Sequence, residues 1–379
     1  MIVNSHFCGG NIKVNEYASD GSVHLEINRD RKSDFFQWFY FEVTASIGEE
    51  LQFHILNAKN ASYPSGWTNY KARASTDGEN WFLIDTVYQN GELRLTHVAT
   101  HSKTQFAYFA PFSLARHERL IAWSKDNGAE HKVVCQSVEG EPIDKLTVGE
   151  GSLPIWVIAR QHPGETMAEW WMSGFLKRLL DQNDTKAQSL RKKATLHIVP
   201  NMNPDGSRLG NLRTNAAGAN LNREWNNPSR ERSPEVHGVR NEMFQTNVSM
   251  CLDVHGDEGL PYNFLDGPLG IPSMTDSLAK RYLAFVDEYL KASDEMQKEH
   301  GYKTDPPGTA DLSICTNWIA ETFQCLSATL EQPFKDNANA PDSTTGWSPK
   351  RCEALGAAGV DALLSSIDSG IITKAVALR

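Results

Sequence analysis

Apolar and polar positions follow two different rhythms along this chain. Up to about residue 112 the apolar residues come in short runs broken by turn residues. "DFFQWFYFEVTA" (34–45) is dense in aromatics, and "LQFHILNA" (51–58) follows a Gly-Glu-Glu turn. "STDGENWFLI" carries an Asp77-Gly78 hairpin signal, and "GELRLTHVA" sets Leu93 and Leu95 between polar neighbours. "TQFAYFAPFS" closes the series near Pro111. Short strands with no helical period predict a small all-β sandwich over 1–112.

Beyond it, over 113–379, strand-like runs alternate with helical stripes. "LPIWVIAR" (153–160) is almost continuously apolar, the pattern of a strand buried on both faces. Ala168, Trp171, Met172, Phe175, Leu176 and Leu179 then fall on one helical stripe. "TLHIVP" (195–200), "SMCLDVH" (249–255) and "QCLSATLE" (324–331) predict three further strands. Leu278, Tyr282, Phe285, Val286 and Tyr289 stripe a second helix, and a third is expected from about Pro349 to Ile367. The alternation predicts an α/β domain with a mixed, mainly parallel sheet and flanking helices. The segment 203–237, rich in Asn, Arg and Gly, is a long irregular excursion of the kind that carries function.

Composition narrows the class. At 379 residues, two domains are the default, and 40% hydrophobic with 22% charged residues is a soluble globular balance. A formal net charge of −10 argues against a nucleic-acid partner. The start, "MIVNSHFCGGNIKVN", lacks the basic and apolar regions of a secretory signal, and no run approaches the ~18 apolar residues that span a bilayer. Six cysteines without a CxxC pair make neither a disulfide framework nor a zinc knuckle. Cys251, Cys315 and Cys325 sit among apolar neighbours, and a reducing cytoplasm is the expected location.

Three ionisable residues stand at strand ends. His162 follows "LPIWVIAR", His255 ends "SMCLDVH", and Glu331 ends "QCLSATLE". Ligands of open α/β sheets collect at such ends. Singly, each has a plain reading: a turn histidine, a core histidine, a buried acid. Glu165, three residues after His162, could likewise be a helix-start acid favoured by the dipole. Together, His162, Glu165 and, ninety positions further along, His255 form a zinc-type set. Two imidazoles and one carboxylate leave a fourth position open for catalysis. Glu331 is then free to act as the general base.

"HPGE", "NPDG", "NLNREW", "DVHG" and "TLEQPF" occur in the order found in zinc carboxypeptidases. With "QWFYF" at 37–41, the chain resembles the cytosolic carboxypeptidase branch over nearly its whole length, a branch with a β-sandwich before the catalytic domain. The resemblance implies one Zn2+ per chain on His162, Glu165 and His255, with Glu331 as general base. It implies that Arg213 stabilises the oxyanion and that Asn222 and Arg223 grip the terminal carboxylate of a peptide or protein substrate. Thr316, in "DLSICTNW", falls where side-chain selectivity is set, and the branch trims acidic residues, glutamates above all. Lys303 is the only basic residue in 301–320 that could serve such a preference.

Two departures stand out. Asn220 occupies a position where many members carry an aspartate that orients a ligand histidine. Thr309 lies near the position of the family's mobile tyrosine, with Tyr302 further back. The sandwich is expected to pack beside the catalytic mouth without supplying zinc ligands. A zinc amidohydrolase that deacylates N-acyl amino acids is the rival enzyme, and the Arg213, Asn222, Arg223 set weighs against it. An inactive carboxypeptidase-like binding protein is the non-enzyme rival, and the intact ligands with Glu331 weigh against that. No membrane partner is expected, and the oligomeric state is left open.

Overall fold

The computed structural model describes residues 1–374. Ten strands precede the first α-helix: β1 (Ile2–Asn4), β2 (Lys13–Tyr17), β3 (Val23–Glu26), β4 (Tyr40–Thr44), β5 (Glu50–Ile55), β6 (Arg73–Ser75), β7 (Phe82–Leu83), β8 (Asp85–Gln89), β9 (Glu92–Val98) and β10 (Lys103–Ala107). They build two five-stranded sheets, ordered β1-β4-β10-β6-β7 and β2-β3-β5-β9-β8. Alternation along each strand turns one face inward. Phe53 of one sheet meets Phe41 and Phe106 of the other at ring-centroid distances of 5.2 and 5.1 Å. The aromatic run 34–45 is only half strand, since β4 begins at Tyr40. Phe36, Trp38 and Phe39 are buried on irregular chain that is tied down by side chains, as where Trp38 Nε1 donates to the Gly9 carbonyl at 2.9 Å.

The segment 113–152 holds elements that its apolar pattern does not announce. Helix α1 (Leu114–Asp126) starts at Ser113, whose hydroxyl accepts from the Arg116 N–H, and it buries only a narrow stripe of His117, Leu120, Ile121 and Ser124. The hairpin of β11 (Glu130–Gln136) and β12 (Pro142–Val148) follows, and β11 is a largely polar edge strand.

Next come β13 (Leu153–Ala159), α2 (Met167–Leu179), α3 (Thr185–Lys193), β14 (Ala194–Val199), α4 (Pro204–Leu209), α5 (Pro234–Thr246) and β15 (Met250–Val254). The described residues end with β16 (Phe264–Asp266), α6 (Asp276–Ala292), α7 (Cys315–Phe323), β17 (Leu326–Glu331) and α8 (Pro349–Asp368). The seven-stranded sheet runs β11-β12-β14-β13-β15-β17-β16, and its four central strands β14, β13, β15 and β17 are parallel. The edges are antiparallel, so the sheet is mixed. Along β13, Ile155, Val157 and Ala159 join one core, with residues of α2, α6 and α8. Trp156 and Ile158 join another, with residues of α5 and α7. A strand buried on both faces reads as a continuous apolar run for this reason.

The first of these cores runs on without a break into the sandwich. Tyr108 stacks on Phe334 at 4.5 Å, and Arg73 Nη2 donates to the Trp347 carbonyl at 3.0 Å. No helix among the described residues is long and apolar enough to cross a membrane.

Candidate metal and catalytic site

The carboxyl ends of β13, β15 and β17 point the same way, and His162, His255 and Glu331 gather there. Arg160 makes the turn after β13 with φ 59°, a left-handed conformation that a non-glycine residue holds only when fixed from outside. Its guanidinium supplies the fixing. Nε donates to the Pro163 carbonyl at 3.0 Å, and Nη1 donates to the Phe112 carbonyl at 2.7 Å and to Glu169 at 2.6 Å. Gly164 is needed because the Arg213 loop passes close by. A Cβ there would stand 2.8 Å from the Leu212 carbonyl oxygen, which instead accepts the Gly164 N–H at 2.9 Å.

Ligand-type atoms of His162, Glu165 and His255 lie within 4.8 Å of one another, and all three residues are buried. His162 Nδ1 is 2.6 Å from one Glu165 oxygen, and His255 Nδ1 is 2.8 Å from the other. The two Nδ1 atoms are 3.2 Å apart. Each outer nitrogen faces an acceptor, Asn220 Oδ1 at 2.9 Å for His162 and Asp253 Oδ2 at 2.9 Å for His255. The outer nitrogens therefore carry protons and donate, which leaves both Nδ1 lone pairs aimed at one point beside a carboxylate. Electron pairs so arranged call for a cation, and the donor set fits zinc with a position left open. Burial lowers His162 to about 4, so its imidazole is neutral and able to ligate. Burial opposes charge on His255 as well, but Asp253 and Glu165 override it and hold that residue well above the usual histidine range, so a cation at this point takes the place of a proton on its Nδ1.

Glu331 ends β17 on the same face as Thr329, and its Oε2 is buried with no hydrogen-bond partner among the described residues. Burial raises it well above the usual carboxylate range; His255 opposes this, while Glu165 and Asp257 add to it. It lines a cavity of about 370 Å³ together with His162, Glu165, Arg213, Asn222 and Arg223. The excursion 203–237 delivers the last three. "NPDG" opens α4, with the Asn203 side chain capping Gly206 N–H at 3.0 Å and Pro204 in the first turn. The other end of that side chain, Nδ2, donates to the Gln161 carbonyl at 3.0 Å and so locks the excursion to the His162 turn.

Thr316 does not line the cavity. It is buried one layer behind, its hydroxyl 2.6 Å from that of Thr329, which does. Lys303 is exposed and stands outside the lining. Tyr302 lines it, its hydroxyl donating to Asp257 at 2.6 Å. Sequence reasoning missed Asp253 and Gln161. Asp253 is two residues before His255, which directly follows β15, and the extended spacing puts both on one face. Gln161 Nε2 donates to Asp253 at 2.5 Å, and its Oε1 accepts from Trp225 at 2.8 Å. It also missed Tyr63 and Ser65 of the sandwich, which enter the cavity wall.

Residues 119–337 match the zinc carboxypeptidase family, and residues 3–109 match the cytosolic carboxypeptidase N-terminal domain. The chain belongs to the zinc carboxypeptidases. These are peptide-bond hydrolases, and two of the solved structures it resembles are metallo-carboxypeptidases. The one from Burkholderia cenocepacia is 42% identical, with a TM-score of 0.95 over 97% of this chain and 99% of that one. The one from Pseudomonas aeruginosa, in complex with (2-guanidinoethylmercapto)succinic acid, is also 42% identical, with a TM-score of 0.94 over the same shares. An uncharacterised protein of Zymomonas mobilis is 48% identical over 97% of this chain and 96% of its own length.

Proposed function

We propose that this carboxypeptidase removes the C-terminal residue of peptides or proteins, with one zinc ion held by His162, Glu165 and His255. The observation that carries the reading is the convergence of two imidazole lone pairs and a carboxylate on a cavity that also holds two arginines. Zinc in that set supplies a polarised carbonyl and an activated water.

The chain's own residues divide the remaining work. Arg213 faces the scissile carbonyl and stabilises the charge that develops on its oxygen. Asn222 and Arg223 take the terminal carboxylate, which a planar guanidinium fork suits better than an ammonium does. Asn222 is pinned for this by the Cys315 N–H, which donates to its Oδ1 at 2.8 Å. Glu331, with one carboxylate oxygen unengaged, takes the proton of the attacking water and returns it to the leaving amine. Thr316 acts on the substrate only through Thr329.

An acidic preference at the terminal residue, which the resemblance implies, has Arg213 and Arg223 as its only cations in the lining. Asp257, Glu258 and Asp266 line it too. The Pseudomonas relative holds a succinic acid with a guanidinium arm, a pairing of charges that such a mixed lining complements. The cytosolic-type N-terminal domain and six unpaired thiols support a cytoplasmic location.

The test offers peptides with free and amidated C-termini, with and without a chelator, and follows products by mass. We expect loss of single terminal residues, abolished by the chelator and slowed by orders of magnitude on amidated peptides. Equal rates on both peptide forms overturn the reading. Glu-, Leu- and Lys-ended peptides compared side by side rank the acidic preference.

A further inference from the structure

Arg213 sits on a loop that the N-terminal sandwich grips. Asp30, buried in the turn between β3 and β4, receives four hydrogen bonds from three consecutive residues of that loop. Its Oδ1 accepts from the Leu212 N–H at 2.6 Å. Its Oδ2 accepts from the N–H groups of Arg213 and Thr214 at 2.8 and 2.9 Å, and from the Thr214 hydroxyl at 3.1 Å. The carbonyl of Leu212 meanwhile accepts from Gly164, inside the turn between His162 and Glu165. The Arg213 backbone is thus held from the sandwich on one side and tied to the metal-ligand turn on the other.

The side chain is framed by the same domain. The guanidinium carbon of Arg213 stands 5.5 Å from the ring centre of Tyr63 and 5.7 Å from that of Phe35. Tyr63 is itself fixed by Gln37, whose Oε1 accepts the Tyr63 N–H at 2.8 Å and whose Nε2 donates to its carbonyl at 3.1 Å. No hydrogen bond or ion pair of the guanidinium itself is found among the described residues, so aromatic faces and the loop backbone set its direction. A buried carboxylate is costly unless its donors are satisfied, and Asp30 spends all of this capacity on the one loop that carries Arg213.

We propose that Asp30 is a positioning residue for peptide-bond hydrolysis, setting Arg213 over the cavity, so that the N-terminal domain completes the active site. The inference rests on the oxyanion role given to Arg213 above. Positioning of this kind acts on the transition state and leaves ground-state binding largely alone.

The test is a double-mutant cycle on the full-length zinc enzyme, with a free-carboxyl peptide as substrate. Asp30→Asn should keep the parent's zinc content and lower kcat by about 10- to 100-fold at nearly constant KM. In the Arg213→Ala background the same change should have almost no further effect, because the group it positions is gone. A merely structural Asp30 would lower kcat by the same factor in both backgrounds, and that result overturns the proposal. Full activity in Arg213→Ala would instead refute the oxyanion role itself. Asp30→Ser, smaller and still an acceptor, is the second variant. If neither Asp30 variant accumulates as folded protein, Asp30 is a folding element and the proposal fails.

Discussion

Asn220 Oδ1 lies 2.9 Å from Nε2 of His162, in line to fix the tautomer of that imidazole with a neutral amide. The other histidine of the cluster has a carboxylate, Asp253, in the same place. A carboxylate makes an imidazole a more basic ligand than an amide does. Asn220→Asp should therefore tighten zinc binding by about tenfold, and Asn220→Ala should weaken it by a similar factor. Chelator competition measures both. Unchanged affinity in the two variants would mean that Asn220 serves only its other contact, the cap on the Asn222 N–H at 3.1 Å.

Glu331→Gln keeps size and a hydrogen-bonding end but cannot take a proton. We expect normal folding and zinc content, similar substrate binding, and turnover lowered by a factor on the order of hundreds to thousands. Glu258 is the alternative, since it lines the same cavity and burial likewise holds it well above the usual carboxylate range. Turnover that survives in Glu331→Gln and vanishes in Glu258→Gln would transfer the base role.

These residues differ in how readable they are from sequence. His162 and His255 follow, and Glu331 ends, short apolar runs of the kind that strands buried on both faces produce, so their convergence is a consequence of local pattern and sheet topology. Asp253 was readable too, through its period-two relation to His255. Asp30 and Tyr63 were not. Each meets Arg213 from about 150 or more positions away, and no periodicity encodes such contacts. Helix α1 and the β11-β12 hairpin escaped for a different reason: α1 and the edge strand β11 bury little, and the buried Asp144 and Lys145 interrupt the apolar pattern of β12. Thr316 shows the limit of alignment by resemblance, because a helix face one layer too deep puts Thr329 in the cavity instead.

Glu235 on α5 gives a pH signature. It is fully buried, and burial raises it to about 7 even though its own backbone N–H and the Asn215 amide both favour the charged form. Between its ordinary value of 4.5 and 7, the folded chain keeps a proton that the unfolded chain has released. Stability from this group is therefore highest at low pH, falls as pH rises through that window, and stays low above it. Glu235→Gln removes the dependence. Relative to the parent, it should gain about 2 kcal/mol between pH 5 and pH 8. Urea midpoints at the two pH values measure this, and a pH-independent difference would refute it.

The contact between Tyr108 and Phe334 decides whether the two domains unfold together. Phe334 follows Glu331 by three residues, is fully buried, and stacks on a sandwich residue at 4.5 Å with an interplanar angle of 19°. It also meets Phe109 edge-on at 6.2 Å. Because the apolar core is continuous across this junction, losing the ring opens a cavity between the domains and not within either one. Phe334→Ala should cost about 3–5 kcal/mol, a cost that both domains share in one cooperative transition. Near-ultraviolet circular dichroism and zinc release, followed along the same denaturant series, should then report one midpoint, lowered together in the variant. Two separated midpoints in the parent would show that the sandwich is an independent unit. In that case a chain starting near residue 113 should fold alone, whereas cooperative unfolding predicts that it is insoluble, with Trp170, Phe334 and Trp347 laid bare.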